Sequence, residues 1–590
     1  MLRGSNPLDP NIKVLSDRIK ARVNEYTRDR WRSYLDKCSF NQQANNLWRT
    51  IRNLTNKSPK TNNISIKFNG FTAHDDKRCA DKFNQQFTPH PNYKDILKKS
   101  VIRRIHKQCK TSENLFTIQQ VCSAIGETKP SKAQGPDGIA PIMLKNIGTK
   151  ALTYLTELLN ISGKTLMIPN IWKVGRVIPL IKPGKPIDQG TSFRPISLLS
   201  PIAKLMEKLI QPDLSEHLLL ADHQHGFRKM RSTTTALHLI HHHIQNGLNQ
   251  HRPHERTIMV ALDMSKAFDT VCHGILLNNI ETSTIPSHLK RWITNYIQGR
   301  QTYVDFRDKQ SKRRKVKQGV PQGGVLSPLL FNLYLRNIPT PPPGIQLVSY
   351  ADDCTILATG TNIPVLCHKL NCYLDLVSKW LKEQHLELSP GKSSATLFTL
   401  WTKVVNFPLD IKIDNIEVPI NKNPKILGVT FDPSLTFHHH TKNIKDKLQS
   451  RNNVLKTLAG TSWGKDKETL MQTYKAIGRP IANYTASIYA PQLKPTNWKL
   501  LQKAQNAALR TITGCHKLTH EDHLHQETNI LRIKHHTVMI AAQYTLKCHH
   551  HAHPNYILTT LPDPPRKIRN HQIQRLHKYF VTTHNAKKTS

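Results

Sequence analysis

Two adjacent carboxylates, Asp352 and Asp353, sit between two short apolar runs, and this placement constrains the chain more than any other feature. Before them stands Gly344-Ile345-Gln346-Leu347-Val348-Ser349-Tyr350-Ala351, and after them Cys354-Thr355-Ile356-Leu357-Ala358-Thr359-Gly360. Both flanks favour strands and are bounded by Pro341 to Gly344 and by Gly360, which predicts strand, tight turn, strand. A polar turn usually explains an Asp-Asp pair. Here the flanks are too apolar for an exposed ribbon, so the pair is expected at the tip of a half-buried hairpin. Carboxylates crowded at such a tip repel one another and stay ionised only where cations neutralise them. Mg²⁺ suits them, because it takes a few carboxylates and completes its shell with phosphates and water.

A third carboxylate has a matching setting. Thr257-Ile258-Met259-Val260-Ala261-Leu262 is a buried-strand pattern that ends in Asp263, with Lys266-Ala267-Phe268-Asp269 just after it. The 89 residues from Asp263 to Asp352 leave room for helices and a strand before the chain returns beside Asp263. Three carboxylates on two neighbouring strands are what a two-metal site needs to activate a 3′-hydroxyl and to stabilise leaving pyrophosphate oxygens. The expected chemistry is in-line phosphoryl transfer, carried by position and charge.

Charge supports a polyanionic partner. Lys and Arg number 85 against 40 Asp and Glu, a net charge of +45 spread along the whole chain. That excess fits a long channel for nucleic acid better than a basic arm. The 10 cysteines form no Cys-x-x-Cys pair and no secretory framework, so they read as reduced thiols, with Cys367 and Cys372 facing a core. The start carries no apolar core of signal-peptide length and no stretch is apolar enough to span a bilayer, so no membrane partner is expected. Cys515, His516, His520, His523 and His525, and Cys548 with the histidines after it, lack regular zinc-ligand spacing.

Residues 1–60 read as basic amphipathic helix, with Trp31, Leu35, Trp48 and Leu54 among the apolar positions, and a linker with a short strand pair follows. Gly135-Pro136-Asp137-Gly138 is a turn before a helix that runs to about Ser162. Two strands tipped with Lys182, Lys185 and Arg194 are suited to phosphates. A helix from Pro201 to Ile210, one from Thr234 to Gln250, and one from Val365 to His385 are expected, with a single strand over residues 424–431. The basic run 309–317 reads as a strand edge near phosphates or, failing that, a nuclear localisation signal. The tail beyond Pro562 is polar and expected to be poorly ordered.

The stretches GPDGI, VIPLIKPGK, FRPISLL, HGFRKMRST, ALDMSKAFDTV, GVPQGGVLSPLLF, YADD, LSPGK and KILGVTFD run in order between residues 131 and 432. Taken together they resemble the reverse transcriptases of non-LTR (LINE-type) retrotransposons, the jockey group in particular. LQKAQNAALRTITG extends the likeness to about residue 515. The resemblance implies an α+β right-hand polymerase fold. Its parts would be a helical basic extension (1–130), fingers and the start of the palm (131–260), a ferredoxin-like antiparallel palm (261–432), a helical thumb and connection (433–545) and a basic tail (546–590), with the reverse transcriptase domain at about 161–432.

By the same resemblance, Asp263, Asp352 and Asp353 are the ligands of two Mg²⁺ ions, for which Mn²⁺ can substitute. Lys392 protonates pyrophosphate, Arg194 holds the triphosphate, Phe268 is a steric gate against ribonucleotides, and Gln322 and Gly323 line the nucleotide pocket. Leu427, Gly428 and Val429 form the primer grip, and Arg228 and Arg231 lie near template or nucleotide. RNA template, DNA primer or nicked target, and dNTPs are the implied partners, in a ribonucleoprotein that is nuclear and cytoplasmic. Phe193, His225, Gly324, Ser389 and Gly391 depart from the group's usual residues without removing a metal ligand. About 130 residues precede the fingers and hold no endonuclease set, so a fragment that extends primers without nicking a target is expected. The alternative is a catalytically silent RNA-binding remnant. An RNA-dependent RNA polymerase is disfavoured by the aromatic Phe268.

Overall fold

The computed structural model describes residues 65–550, apart from 69, 94, 108–115, 219, 251–253 and 461–463, together with isolated positions between 14 and 29. The expectations for the rest of residues 1–60 and for the tail lie outside the described residues. The chain is α+β. A short hairpin, β1 (Ile66–Phe68) and β2 (Phe71–Ala73), leads into helix α1 (Asp76–Phe87), which Asp75 caps by accepting from the Arg78 N–H. The helix expected up to Ser162 is broken into Pro141–Lys145 and Thr149–Thr165, because Gly148 caps the second segment.

β3 (Val174–Ile181) pairs antiparallel with β4 (Phe193–Leu198), and α2 (Pro201–His217) follows. α2 runs past the expected stop at Ile210 and carries Pro212 inside it. α3 (Thr233–Asn249) starts from a capping box of Ser232 and Thr235 and leads to β5 (Arg256–Leu262). β6 (Gln301–Phe306) lies parallel to β3 and is flanked by the edge strands Lys309–Gln310 and Arg314–Lys315, where the basic run was expected to form a sheet edge. Phe83 of α1 fastens this sheet, with its ring 4.9 Å from Phe193 and 5.3 Å from Phe306.

Helix α4 (Ser327–Tyr334) precedes the predicted hairpin of β7 (Ile345–Tyr350) and β8 (Asp353–Gly360); α5 (Ile363–Glu383) and β9 (Ser394–Phe398) follow. The central sheet is four-stranded and antiparallel, in the order β9-β5-β8-β7. Its strands are mostly apolar at their centres because both faces are covered. Alternate side chains point to opposite faces, so Ile258, Val260, Ile356 and Leu397 join the core under α4 and α5. Met259, Leu357 and Phe398 join a second core with α3 and the C-terminal helices.

Of the two cysteines on α5, only Cys367 faces the core. Cys372 is exposed, which corrects the expectation for it, since five helical positions carry it about 140° round the axis. The strand expected over 424–431 is instead two arms, Lys425–Ile426 and Val429–Thr430, joined by a two-residue turn. Helices α6 (His438–Leu458), α7 (Pro495–Thr513) and α8 (Ile533–His550) dominate the C-terminal region, and Asn452 joins α6 to α7 by donating to the Ala504 carbonyl at 2.9 Å. Among the described residues no helix is long and apolar enough to cross a membrane.

Candidate active site

Cys354 pairs with Leu262 across β8 and β5, so Asp353 and Asp263 each lie one step beyond that pair on neighbouring strands. Tyr350 pairs with Asp353, and the turn between them is Ala351-Asp352, with Ala351 at φ 57°. A tight hairpin demands that left-handed first position. Asp263 is itself clasped: its N–H donates to the Ser393 hydroxyl at 3.1 Å, and its carbonyl accepts from the Ser389 N–H at 2.8 Å. The same Ser389–Ser393 turn carries Lys392, whose Nζ lies 3.8 Å from Asp263 Oδ2.

The carboxylates feel one another. Asp353 is exposed at the mouth but walled by protein on its other sides, and its carboxyl is pushed up to about 6, first by desolvation and then by the charges of Asp352 and Asp263. Asp352 is also raised, mainly by burial and further by Asp263, with Arg194 opposing. Of the cations, Arg194 acts on Asp352 and Lys392 stands beside Asp263; Lys182 is itself lowered by burial and by the charges of Arg194, Lys392, Lys185 and Lys266. Among the described residues no three His, Cys, Asp or Glu side chains enclose an ion as they stand. The donors are still all hard oxygens on two rigid strand ends. Mg²⁺ keeps waters and substrate phosphates in its shell and needs no closed protein cage, so the set fits it.

The Phe268 ring stacks on Phe331 with centroids 4.4 Å apart. Gln322 is docked twice: its carbonyl accepts from the Ser197 N–H of β4 at 2.8 Å, and its Nε2 donates to Asp269 Oδ1 at 2.9 Å. Gly323 has φ 131°, and a Cβ there would sit 2.4 Å from the Ser197 carbonyl oxygen, so only glycine fits. Leu427 and Gly428 form the two-residue turn with φ 44° and 88°, and Val429 begins the return arm. Arg228 and Arg231 turn back onto their own loop. Arg228 donates to the Ala221 carbonyl at 2.8 Å, and Arg231 pairs with Asp222 at 2.9 Å. In the C-terminal set, His516 Nδ1 accepts from the Leu518 N–H at 3.3 Å and His520 Nδ1 from the Asp522 N–H at 3.4 Å.

Four residues that shape the site escaped the sequence reading. Residues 223–226 add a strand-like edge beside β7, where the His225 N–H donates to the Ser349 carbonyl at 2.8 Å. There Gln224 Oε1 accepts from the N–H groups of both Ala351 and Gly226 at 3.0 Å. Gly226 packs its backbone directly on the Tyr350-Ala351 turn. Glu207, fully buried, accepts from the N–H groups of Val325 at 2.6 Å and Leu326 at 3.0 Å and so caps α4 from α2. Tyr484 donates its hydroxyl to the Leu427 carbonyl at 2.7 Å.

Residues 182–431 match the family model described as reverse transcriptase (RNA-dependent DNA polymerase). The chain carries a reverse transcriptase domain. Beyond that domain the chain is 30% identical over 447 residues to a probable RNA-directed DNA polymerase from transposon BS of Drosophila melanogaster, covering 73% of this chain and 49% of the relative. It is 28% identical over 465 residues to that of the transposon X-element from the same organism, covering 78% of this chain and 50% of the relative. The RNA-directed DNA polymerase from its mobile element jockey is 25% identical over 528 residues, covering 85% of this chain and 55% of the relative. With the motifs, the likeness to these relatives supports a LINE-type reverse transcriptase. The chain spans about half the length of the curated relatives it matches.

Proposed function

We propose that the chain is an RNA-directed DNA polymerase that acts in retrotransposition, joining dNTPs to a primer 3′-hydroxyl on an RNA template. The observation that carries this reading is the meeting of Asp263, Asp352 and Asp353 at adjacent strand ends, with Lys392 beside Asp263 and the Arg194 charge acting on Asp352. In it the central sheet is the palm, the β3-β4-β6 sheet belongs to the fingers, and α6 to α8 to the thumb. The three carboxylates would hold two Mg²⁺ ions, which when bound would neutralise charge and make the primer's own 3′-hydroxyl easier to deprotonate.

Arg194 and the lysines bind the triphosphate and offset its charge through the transition state. Lys392, beside Asp263, delivers a proton to the departing pyrophosphate. Phe268, held flat by Phe331, blocks a 2′-hydroxyl. The Leu427-Gly428 turn steadies the primer end. The template and primer, with the +45 charge around them, would travel in a ribonucleoprotein between cytoplasm and nucleus.

The test is primer extension on an RNA template with Mg²⁺, wild type beside Asp352→Ala. Deoxynucleotide incorporation by the wild type that is lost in the variant supports the reading. RNA binding without synthesis by either protein refutes it in favour of a silent remnant.

A further inference from the structure

We infer that the outer edge of the β3-β4-β6 sheet is a second binding surface for the template, taking the phosphate backbone of double-helical RNA away from the carboxylates. The inference rests on the polymerase reading and adds to it a place where RNA outside the cleft is held.

The sheet has a catalytic side and a far side. Its strand order is β4-β3-β6 and then Lys309–Gln310, with Arg314–Lys315 also paired to β6. β4 adjoins the glycine-rich loop, because the Ser197 N–H donates to the Gln322 carbonyl at 2.8 Å. The Lys309–Gln310 edge lies three strand places from β4, about 14 Å across the sheet. Along this far edge stand Lys309, Lys312, Arg313, Arg314, Lys315 and Lys317. All but Arg314 are exposed, and none of the six has an ion-pair partner among the described residues. Neighbouring carboxylates are committed elsewhere: Asp76 to Arg307 at 3.5 Å, Asp81 to Lys77 at 3.6 Å and Asp305 to Arg176 at 2.6 Å. Asp308 is the single carboxylate within residues 307–317.

The backbone holds these charges as a fixed comb. The Ser311 N–H donates to the Val304 carbonyl at 2.8 Å, and the Ser311 hydroxyl accepts from the Val304 N–H at 2.9 Å. Lys312 is fastened to α1 twice: its N–H donates to Asp81 Oδ1 at 3.0 Å, and its carbonyl accepts from Asn84 Nδ2 at 2.7 Å. The Val316 N–H reaches the Arg300 carbonyl at 2.9 Å. A chain tied this way has little backbone entropy left to lose on binding. Arg313, Lys315 and Lys317 are exposed, with the half-buried Arg314 and Val316 between them. The three therefore share the outward face, about 6.6 Å apart where the chain is extended.

A row of cations at that interval matches consecutive phosphates along one backbone. No aromatic residue lies within 307–317. Single strands are held largely by bases stacked on aromatic rings, whereas double-helical RNA is recognised by shape, phosphates and 2′-hydroxyls. The edge therefore suits a helix whose bases are hidden. An RNA template long enough to fold on itself supplies such helices beside the cleft.

The test is binding of an RNA hairpin with a fully paired stem, measured across a salt series for wild type and for K312Q/R313Q/K315Q/K317Q. Removing four cations should weaken hairpin binding about tenfold or more and lower the slope of log K against log salt by about two to four. The charge-keeping variant K312R/K315R/K317R should bind as wild type does. Extension of a short primer–template without RNA secondary structure should be unchanged in both. Hairpin RNA should also add to enzyme already carrying that primer–template, seen as a slower band in gel mobility. Unchanged hairpin affinity and salt slope in the quadruple variant overturn the inference, and so does a hairpin that only displaces the primer–template. A loss confined to double-stranded DNA overturns the assignment to RNA. Should the quadruple variant fail to fold, Lys315→Gln and Lys317→Gln singly should each lower the slope by about one, and unchanged slopes in both overturn the inference. A wild type that extends no primer overturns the polymerase reading, while the hairpin comparison between wild type and the quadruple variant judges the edge by itself.

Discussion

Gly226→Ala should disable the catalytic turn without touching a carboxylate. Gly226 does not occupy the left-handed region, so alanine is not excluded by backbone conformation. It is excluded by space. An ideal Cβ at this position would stand 2.5 Å from the Ala351 nitrogen and 3.1 Å from the Tyr350 carbonyl carbon. Relaxed contacts between heavy atoms are about 3.5 Å, so roughly 1 Å of movement must be found. The glycine cannot easily withdraw, because its carbonyl accepts from Asn332 Nδ2 at 2.7 Å and its N–H donates to Gln224 Oε1 at 3.0 Å. Gln224 grips the Ala351 N–H as well, so a retreat would also pull the turn. The displacement therefore falls on Ala351 and moves Asp352 and Asp353 relative to Asp263. A misplacement of about 1 Å at a reacting centre costs on the order of 100-fold in rate. Overpacking should cost about 1–3 kcal/mol in stability. The assay is single-turnover primer extension alongside primer–template binding by gel mobility. We expect kcat to fall about 100-fold with binding within twofold. A G226A enzyme that extends primers within about threefold of wild type would show that the contact is slack and refute the reasoning.

Other outcomes follow from the same geometry. Glu207→Leu leaves the Val325 and Leu326 N–H groups without an acceptor and should cost about 1–3 kcal/mol for each. Glu207→Gln, whose carbonyl can still accept both bonds, should cost far less, and thermal unfolding of the two variants separates them. Tyr484→Phe removes the hydroxyl bond to the Leu427 carbonyl and should raise KM for primer–template about three- to tenfold while leaving KM for dNTP in place; equal shifts in both would place Tyr484 outside the primer side. Phe268→Ala should admit ribonucleotides, measured as rNTP incorporation, and no gain would remove Phe268 from the gate. His241 is fully buried, with neither ring nitrogen partnered among the described residues, and desolvation holds its pKa down at about 3. Because the unfolded imidazole takes up its proton near pH 6.5 and the folded one does not, stability is full above that pH and falls as the pH drops towards 3. His241→Leu should shrink the loss in unfolding free energy between pH 7 and pH 5 by about 2 kcal/mol; an unaltered pH slope in chemical denaturation would contradict the assignment.

The parts of the site that could be read in the sequence are those governed by local period. An apolar run ending in Asp263 and two apolar runs around Asp352 and Asp353 announce buried strands with charged ends, and the sheet pairs those ends as neighbours. Glycine marked the breaks that were passed over. Gly148 starts a second helical segment after Asn146 has closed the first, and Gly428, with Leu427 also left-handed, folds an expected strand back on itself. Cys372 was misjudged for a different reason: an apolar-looking residue was assigned inward without counting its angle from Cys367. Arg228 and Arg231 were readable as basic but not as engaged, since Asp222 and the Ala221 carbonyl meet them only once the loop closes.

What stayed hidden is the bracing. Glu207 lies 118 residues from the Val325 N–H it binds, and Gln224 lies 127 residues from Ala351. No local pattern records such a pair; each looks like an ordinary polar residue in its own stretch. Their common feature is that a side-chain oxygen satisfies backbone N–H groups at a place where no regular ladder can. The Ala351-Asp352 turn and the start of α4 both leave donors without a partner in their own element, and buried donors must be met from somewhere. In a site built from two carboxylate-bearing strand ends and one glycine-rich loop, those donors lie next to the groups that must be held still. The residues that satisfy them therefore set the position of Asp352, Asp353 and Gln322 without touching a nucleotide. A variant at Gln224 or Glu207 should disturb polymerisation through geometry, leaving the charge around the carboxylates as it was.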